Sequence, residues 1–221
     1  HEQENQLTLS GMKHLGRIRT SMTGLDAGCG RGGSSLMIAS KTGCRMTGIN
    51  LSPYQVRTAR RMAADRRLSA RVKFLQGNML RFPFPEGGFD FIWACESTEH
   101  VPRLEDWFRR SSRLCVKGGR MVVIAWVKDP TRPGARRAAR LTDSAYVTQV
   151  HEDAEYEPPR DCGWRRVGRV DFTAAAARYW RLRSRSAHAT GTERFMTPAF
   201  ASGAMRYVLY TNERRMLGSW S

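Results

Sequence analysis

A cluster of glycines, Leu25-Asp26-Ala27-Gly28-Cys29-Gly30-Arg31-Gly32-Gly33, constrains this chain more than any other feature. It stands between a short extended segment and a segment of helical character. Glycines at such a junction let the chain turn tightly and let a ligand approach the main chain. A glycine triplet alone is weak evidence, and dinucleotide binding is the first competitor. Two features separate the readings. Asp26 closes the strand, where a carboxylate can take a cationic amino acid group but would repel a pyrophosphate. The glycines also run on into Ser34-Ser35. The strand itself, expected at 22–27, is short of apolar residues, with only Met22 and Leu25 before Asp26. A central parallel strand is normally a near-continuous apolar run. The shortage leads to the expectation that residues preceding Gly24 are missing from the sequence.

Strands and helices alternate after the loop. Strands are expected at 44–49, 71–76, 89–95 and 120–126, and helices at 34–42, 52–67 and 104–115. Pro53 behind Ser52 is a strong helix start. Lys117-Gly118-Gly119 reads as the glycine stop of the third helix. This alternation predicts an α/β fold, a parallel sheet with helices on both faces. Residues 1–20 read as a helical lead-in, part of a longer cap, with Leu7, Met12, Leu15 and Ile18 at roughly helical spacing. Residues 21–128 form the α/β core. Residues 129–165 are expected to be a loop and substrate-covering insertion. Its first part, 129–140, is rich in Pro, Gly and Arg and reads as a loop or disordered; 141–165 has no clear assignment. Residues 166–221 complete the same domain, with a strand at 166–172, a mostly helical stretch at 173–200 and a closing strand at 205–211.

At 221 residues the chain can bury one sizeable core. No run of about 18 or more apolar residues is present, which sets a membrane aside as partner. The polar start, HEQENQLTLS, does not read as a signal peptide. Five cysteines stand singly, with no C-x-x-C pair, and read as reduced thiols of a cytoplasmic protein. The net charge is +17, mostly from arginine. The basic runs 57–67 and 132–140 carry no aromatic for base stacking, so no nucleic acid is expected as partner. An anionic small substrate suits arginine better. A plain solvated basic surface accounts for most of these side chains. A homo-oligomer is left open.

From Gly24 to Trp126, roughly half the chain, the sequence resembles the class I methyltransferases, whose first motif reads as the glycine loop does. The resemblance implies a Rossmann-like sheet and S-adenosylmethionine as cofactor, with Asp26, Gly28 and Gly30 around its amino acid part. The family's second strand normally ends in an acid for the ribose. Here the segment is Gly48-Ile49-Asn50-Leu51-Ser52-Pro53-Tyr54-Gln55. It departs from that pattern and is similar instead to methyltransferases acting on lipids, sterols, tocopherols and prenyl chains. Asn50, Leu51 and Gln55 are the matching cofactor residues. The missing acid also weakens a nicotinamide cofactor. Asn78 and Met79, after the third strand, fall where the family contacts adenine; the plain alternative is a turn residue and a core methionine.

The fourth strand runs into Cys95-Glu96-Ser97-Thr98-Glu99-His100. Ligands of open α/β sheets bind at the carboxyl ends of strands, so Glu96 is expected to face the reactive methyl, with His100 beyond it. Glu96, Glu99 and His100 could also ligate a metal, but no second cluster completes a set. The Glu-Ser pair, the Tyr-Trp-x-Leu-Arg of 179–183, the Thr-Gly-x-Glu of 190–193 and Tyr207-Val208-Leu209 resemble the geranyl diphosphate C-methyltransferases. That resemblance implies methylation of an alkene carbon of a prenyl diphosphate, geranyl or farnesyl, in terpenoid biosynthesis. It makes Glu96 the cation stabiliser and base, Tyr146 the ring facing the cation where the family places Phe, and His100 a further catalytic candidate. Tyr179, Trp180 and Arg181 are the substrate-binding candidates. Mg²⁺ is expected to be held mainly by the substrate diphosphate. Two alternatives stand beside this reading: the same fold acting on a sterol, tocopherol, indole or polyketide, and a non-catalytic nucleic-acid-binding module.

Overall fold

The computed structural model describes residues 2–186 and 189–216; the ends of the expected 1–20 and 166–221 segments, and 187–188 of the expected helical stretch, lie outside the described residues. In chain order, α1 (Glu2–Met12) precedes β1 (Thr23–Ala27), α2 (Gly33–Thr42), β2 (Arg45–Asn50), α3 (Pro53–Asp65), β3 (Val72–Gln76), β4 (Phe89–Cys95), α4 (Leu104–Leu114) and β5 (Cys115–Lys128). Then come α5 (Ala135–Tyr146), β6 (Trp164–Asp171), α6 (Thr173–Arg183), α7 (Glu193–Ala201) and β7 (Met205–Arg214). The seven strands form one sheet in the order β3-β2-β1-β4-β5-β7-β6. The first five are parallel, and β7 runs antiparallel between β5 and β6. Strand order reverses between β1 and β4, and that reversal opens the crevice in which such sheets bind ligands.

Alternation along the strands separates two buried layers. Phe91, Trp93, Val122 and Ile124 pack with α2, α3, α6 and α7 residues such as Leu36, Val56, Trp180 and Phe200. Leu25, Ile92, Met121 and Val123 pack with Trp107 and Phe108 of α4. The apolar poverty of β1 has a local cause. A Cβ on Gly24 would lie 2.3 Å from the Phe91 ring and 2.7 Å from the Met46 sulfur. These neighbours fill the space, and the chain runs through a turn, Met22 N to Arg19 O at 3.0 Å, straight into the strand.

Two expectations are corrected. Gly118 and Gly119 do not end a helix, because α4 passes directly into β5 at Cys115. They make a bulge: Phe89 pairs with Cys115 but Phe91 with Arg120. Residues 135–146 are helix, not loop. Ala135, Ala138, Ala139 and Thr142 make a buried stripe at helical spacing. Small residues let α5 approach closely, and a search for large apolar residues passes over them. Among the described residues no helix is long and apolar enough to cross a membrane.

Candidate active site

The carboxyl ends of β1, β2, β3 and β4 surround a cavity of about 1370 Å³, which α1 and Tyr146 at the end of α5 help to wall. Its floor is the glycine loop. Gly28 N and Cys29 N both donate to Ile49 O, at 2.9 and 3.0 Å, which ties the loop to β2. Gly28, Gly30 and Gly32 take the left-handed conformation. Gly28 cannot carry a side chain, because its Cβ would meet Ser97 Cβ at 2.3 Å. Ser97 Oγ in turn donates to Ala27 O at 2.6 Å, closing β1 onto β4. Gly30 differs: nothing lies within 4 Å of its Cβ position, so that side of the loop stands open to a ligand.

Asp26 is buried under this loop and accepts from Ser35 Oγ at 2.5 Å. Burial outweighs that hydrogen bond and pushes its carboxyl up to about 6. Ser35 hydrogen-bonds it through both its hydroxyl and its backbone but brings no positive charge, and an ammonium group in the cavity would supply the counter-charge. The residues therefore fit the amino acid end of a cationic cofactor.

All eight residues expected to hold the cofactor, Asp26, Gly28, Gly30, Asn50, Leu51, Gln55, Asn78 and Met79, line the cavity. Local hydrogen bonds refine two of them. Asn50 Oδ1 accepts from Ser52 N at 2.9 Å, and Ser52 Oγ caps α3 by accepting from Gln55 N at 3.3 Å. Asn78 Oδ1 accepts from Leu80 N at 2.9 Å. The Asn78 oxygen is thus engaged in its own turn, which leaves the Asn78 amide as a donor toward the cavity.

Glu96, His100 and Tyr146 are brought together on the same cavity. Glu96 follows β4 with φ 50°, a conformation that costs a residue with a Cβ about 1–2 kcal/mol. Its N–H donates to Ile124 O at 2.8 Å and its Oε1 accepts from Tyr207 Oη at 2.8 Å. Tyr207 is buried in β7, and burial together with the Glu96 charge holds its phenol well above its usual range. It therefore stays a donor. His100 Nδ1 lies 3.0 Å from Val147 O. A carbonyl only accepts, so Nδ1 carries a proton and Nε2 is the other polar edge. Tyr146 Oη donates to Thr192 Oγ1 at 2.9 Å, and its ring stands edge-on to Trp126 at 5.2 Å.

The expected substrate-binding trio is not on the cavity lining. Trp180 is buried, stacked on Phe200 and edge-on to Trp126. Tyr179 Oη accepts from Arg183 at 3.2 Å, and Arg181 is exposed on α6. Trp180 backs the Trp126–Tyr146 pair instead of touching the cavity. Arg31, Lys41 and Arg66 are the lining cations among the described lysines and arginines. Tyr207 belongs to the Tyr-Val-Leu motif that carries the resemblance, but nothing in the sequence marked it as the partner of Glu96. Among the described residues no group of three or more His, Cys, Asp or Glu side chains could hold a metal ion.

The methyltransferase domain family matches residues 25–123. A geranyl diphosphate 2-C-methyltransferase of Saccharopolyspora erythraea is 36% identical over 206 residues, covering 92% of this chain and 71% of that protein. One from Streptomyces coelicolor is 33% identical over 204 residues, 92% of this chain and 70% of its own. The crystal structure of the geranyl diphosphate C-methyltransferase of Streptomyces coelicolor with Mg²⁺, geranyl diphosphate and S-adenosyl-L-homocysteine superposes with a TM-score of 0.90. It is 32% identical and is matched over 96% of this chain and 79% of its own.

Proposed function

This chain belongs to the geranyl diphosphate C-methyltransferase family, and we propose that it transfers a methyl group from S-adenosylmethionine to an alkene carbon of a prenyl diphosphate, geranyl or farnesyl, in terpenoid biosynthesis. The observation that carries the reading is the pair of carboxylates on one cavity: buried Asp26 at the glycine loop and Glu96 at the end of β4.

Bound across the glycine loop, S-adenosylmethionine supplies an electrophilic sulfonium methyl. Asp26 pairs with its ammonium, the open face of Gly30 admits its backbone, and Asn50 and Gln55 hydrogen-bond the ribose. Methylation at carbon 2 of the alkene leaves a tertiary cation at carbon 3 of the substrate. Glu96 faces that cation as a fixed negative charge and then takes the proton from carbon 2, restoring the double bond. Tyr207 holds the carboxylate in place while it does so. The Tyr146 ring offers its face to the cation, an interaction worth about 2 kcal/mol when water is excluded. Segment 129–165, which carries Tyr146, covers the substrate. Mg²⁺ is assigned mainly to the substrate, as a metal–diphosphate complex, because its hard oxygen preference suits the phosphate oxygens.

Incubation with S-adenosylmethionine and C5, C10 or C15 prenyl diphosphates, with and without Mg²⁺, tests this by mass spectrometry. The expected product is a mono-methylated C10 or C15 diphosphate formed only with Mg²⁺. A protein that binds S-adenosylmethionine yet methylates none of the three overturns the reading.

A further inference from the structure

The sheet opens at one point beside the cavity, and a buried carboxyl group occupies the gap. Cys95 is the last residue of β4 in register with β5, opposite Ile124, and Glu96 N closes that ladder on Ile124 O. β5 continues to Lys128 with β7 along its other edge. On the β4 side, the Lys128 amide finds a main-chain partner again, His151 O at 2.9 Å. Between the two, the Trp126 amide donates to Glu99 Oε1 at 2.8 Å. Glu99 lies in the single turn Thr98–His100 and is 1% exposed; its own carbonyl accepts from Gln149 N at 2.6 Å.

A carboxyl group is a costly choice for this place. Burial pushes Glu99 up to about 8, against the help of the Trp126 amide, and the Glu96 charge pushes the same way. A strand residue could satisfy the Trp126 amide without that cost. A strand residue, however, would keep the chain extended beyond Cys95. Glu96 could not then turn into its left-handed conformation and reach the cavity. The long side chain of Glu99 reaches back from the next turn and leaves Glu96 free to bend. The amide it holds belongs to Trp126, whose ring braces Tyr146 at 5.2 Å.

The geometry points to Glu99 as a positioning residue, a side-chain stand-in for the missing strand partner that sets Glu96 and the Trp126–Tyr146 pair at their working separation across the cavity. The inference rests on the proposed roles of Glu96 and Tyr146. Glu99 itself sits behind the lining and touches neither cofactor nor substrate.

Two measurements test it. The first is independent of turnover: amide hydrogen exchange at Trp126. Wild type and Glu99→Gln, which keeps an accepting oxygen, should protect this amide equally. Glu99→Met, of similar length but with only a weakly accepting sulfur, should exchange it at least about tenfold faster. Equal protection in Glu99→Met overturns the stand-in; Glu99→Ala serves if the Met variant does not fold. The second is steady-state kinetics. Glu99→Gln should stay within about threefold of wild-type kcat. Glu99→Met should lose about 100-fold in kcat with little change in KM for S-adenosylmethionine, as expected of misplaced reacting groups. It should also release more water-trapped alcohol. Equal losses in both variants would mean that charge, not positioning, is the role of Glu99. If the wild type methylates no prenyl diphosphate, the proposed function fails while the exchange result still decides the stand-in.

Discussion

The hydroxyl of Tyr207 donates to Oε1 of Glu96 across 2.8 Å, joining the middle of the sheet to its antiparallel strand over 111 residues of sequence. Tyr207 is itself fixed at both main-chain groups, by Thr173 Oγ1 on its N–H at 3.1 Å and Phe172 N on its carbonyl at 2.7 Å. The carboxylate assigned as base thus leans on a rigid donor. Tyr207→Phe should fold and bind S-adenosylmethionine as wild type does, and lose about tenfold in kcat, the order expected for one hydrogen bond to a charged group. Unchanged turnover would remove Tyr207 from the site.

Glu96→Gln keeps the shape of the side chain and its hydrogen bond to Tyr207 but removes the charge and the basic oxygen. Cofactor affinity by calorimetry should be unaffected, while turnover with a prenyl diphosphate falls by about 10²–10⁴. Near wild-type turnover would exclude Glu96 as the base.

Asp26 gives two opposite pH dependences. In the ligand-free protein its carboxyl titrates at about 6, above its ordinary 3.8. The folded state therefore holds a proton that the unfolded chain has already lost between these values. Stability falls as pH rises through that window, by at most about 3 kcal/mol, and is flat above it. Asp26→Asn should abolish the slope in denaturant titrations. Binding of S-adenosylmethionine needs the ionised form, so its affinity should rise with pH up to about 6 and level off above. A pH-independent affinity would contradict an ammonium partner for Asp26.

Gly28 and Gly30 should respond differently to alanine. Both have positive φ, 79° and 54°, which costs about 1 kcal/mol in either case. Only at Gly28 does the new methyl collide, with Ser97 Cβ at 2.3 Å. Gly28→Ala should lower the melting temperature markedly. Gly30→Ala should melt within a few degrees of wild type but bind S-adenosylmethionine at least about tenfold more weakly, because the methyl takes ligand space. Equal melting temperatures for the two variants would show that the loop yields at Ser97.

Much of this was legible along the chain because it is local. The glycine loop, the Ser52-Pro53 helix start and the alternation of strands and helices depend on residues a few positions apart. They point to Asp26, Gly28, Gly30, Asn50, Gln55 and Glu96, which line one cavity in the structure. Other choices belonged to tertiary structure. Gly118 and Gly119 read as a helix stop until the β4–β5 register made them a bulge. Trp180 read as a substrate contact until Phe200 and Trp126 enclosed it. The partners of Glu96 and Glu99, Tyr207 and the Trp126 amide, come from the antiparallel insertion of β7 and from the point where β4 leaves β5. Sequence periodicity tells which face a side chain takes, but not which distant strand lies opposite it. That is decided by strand order and register, which minimise unpaired backbone groups and voids over the whole sheet at once.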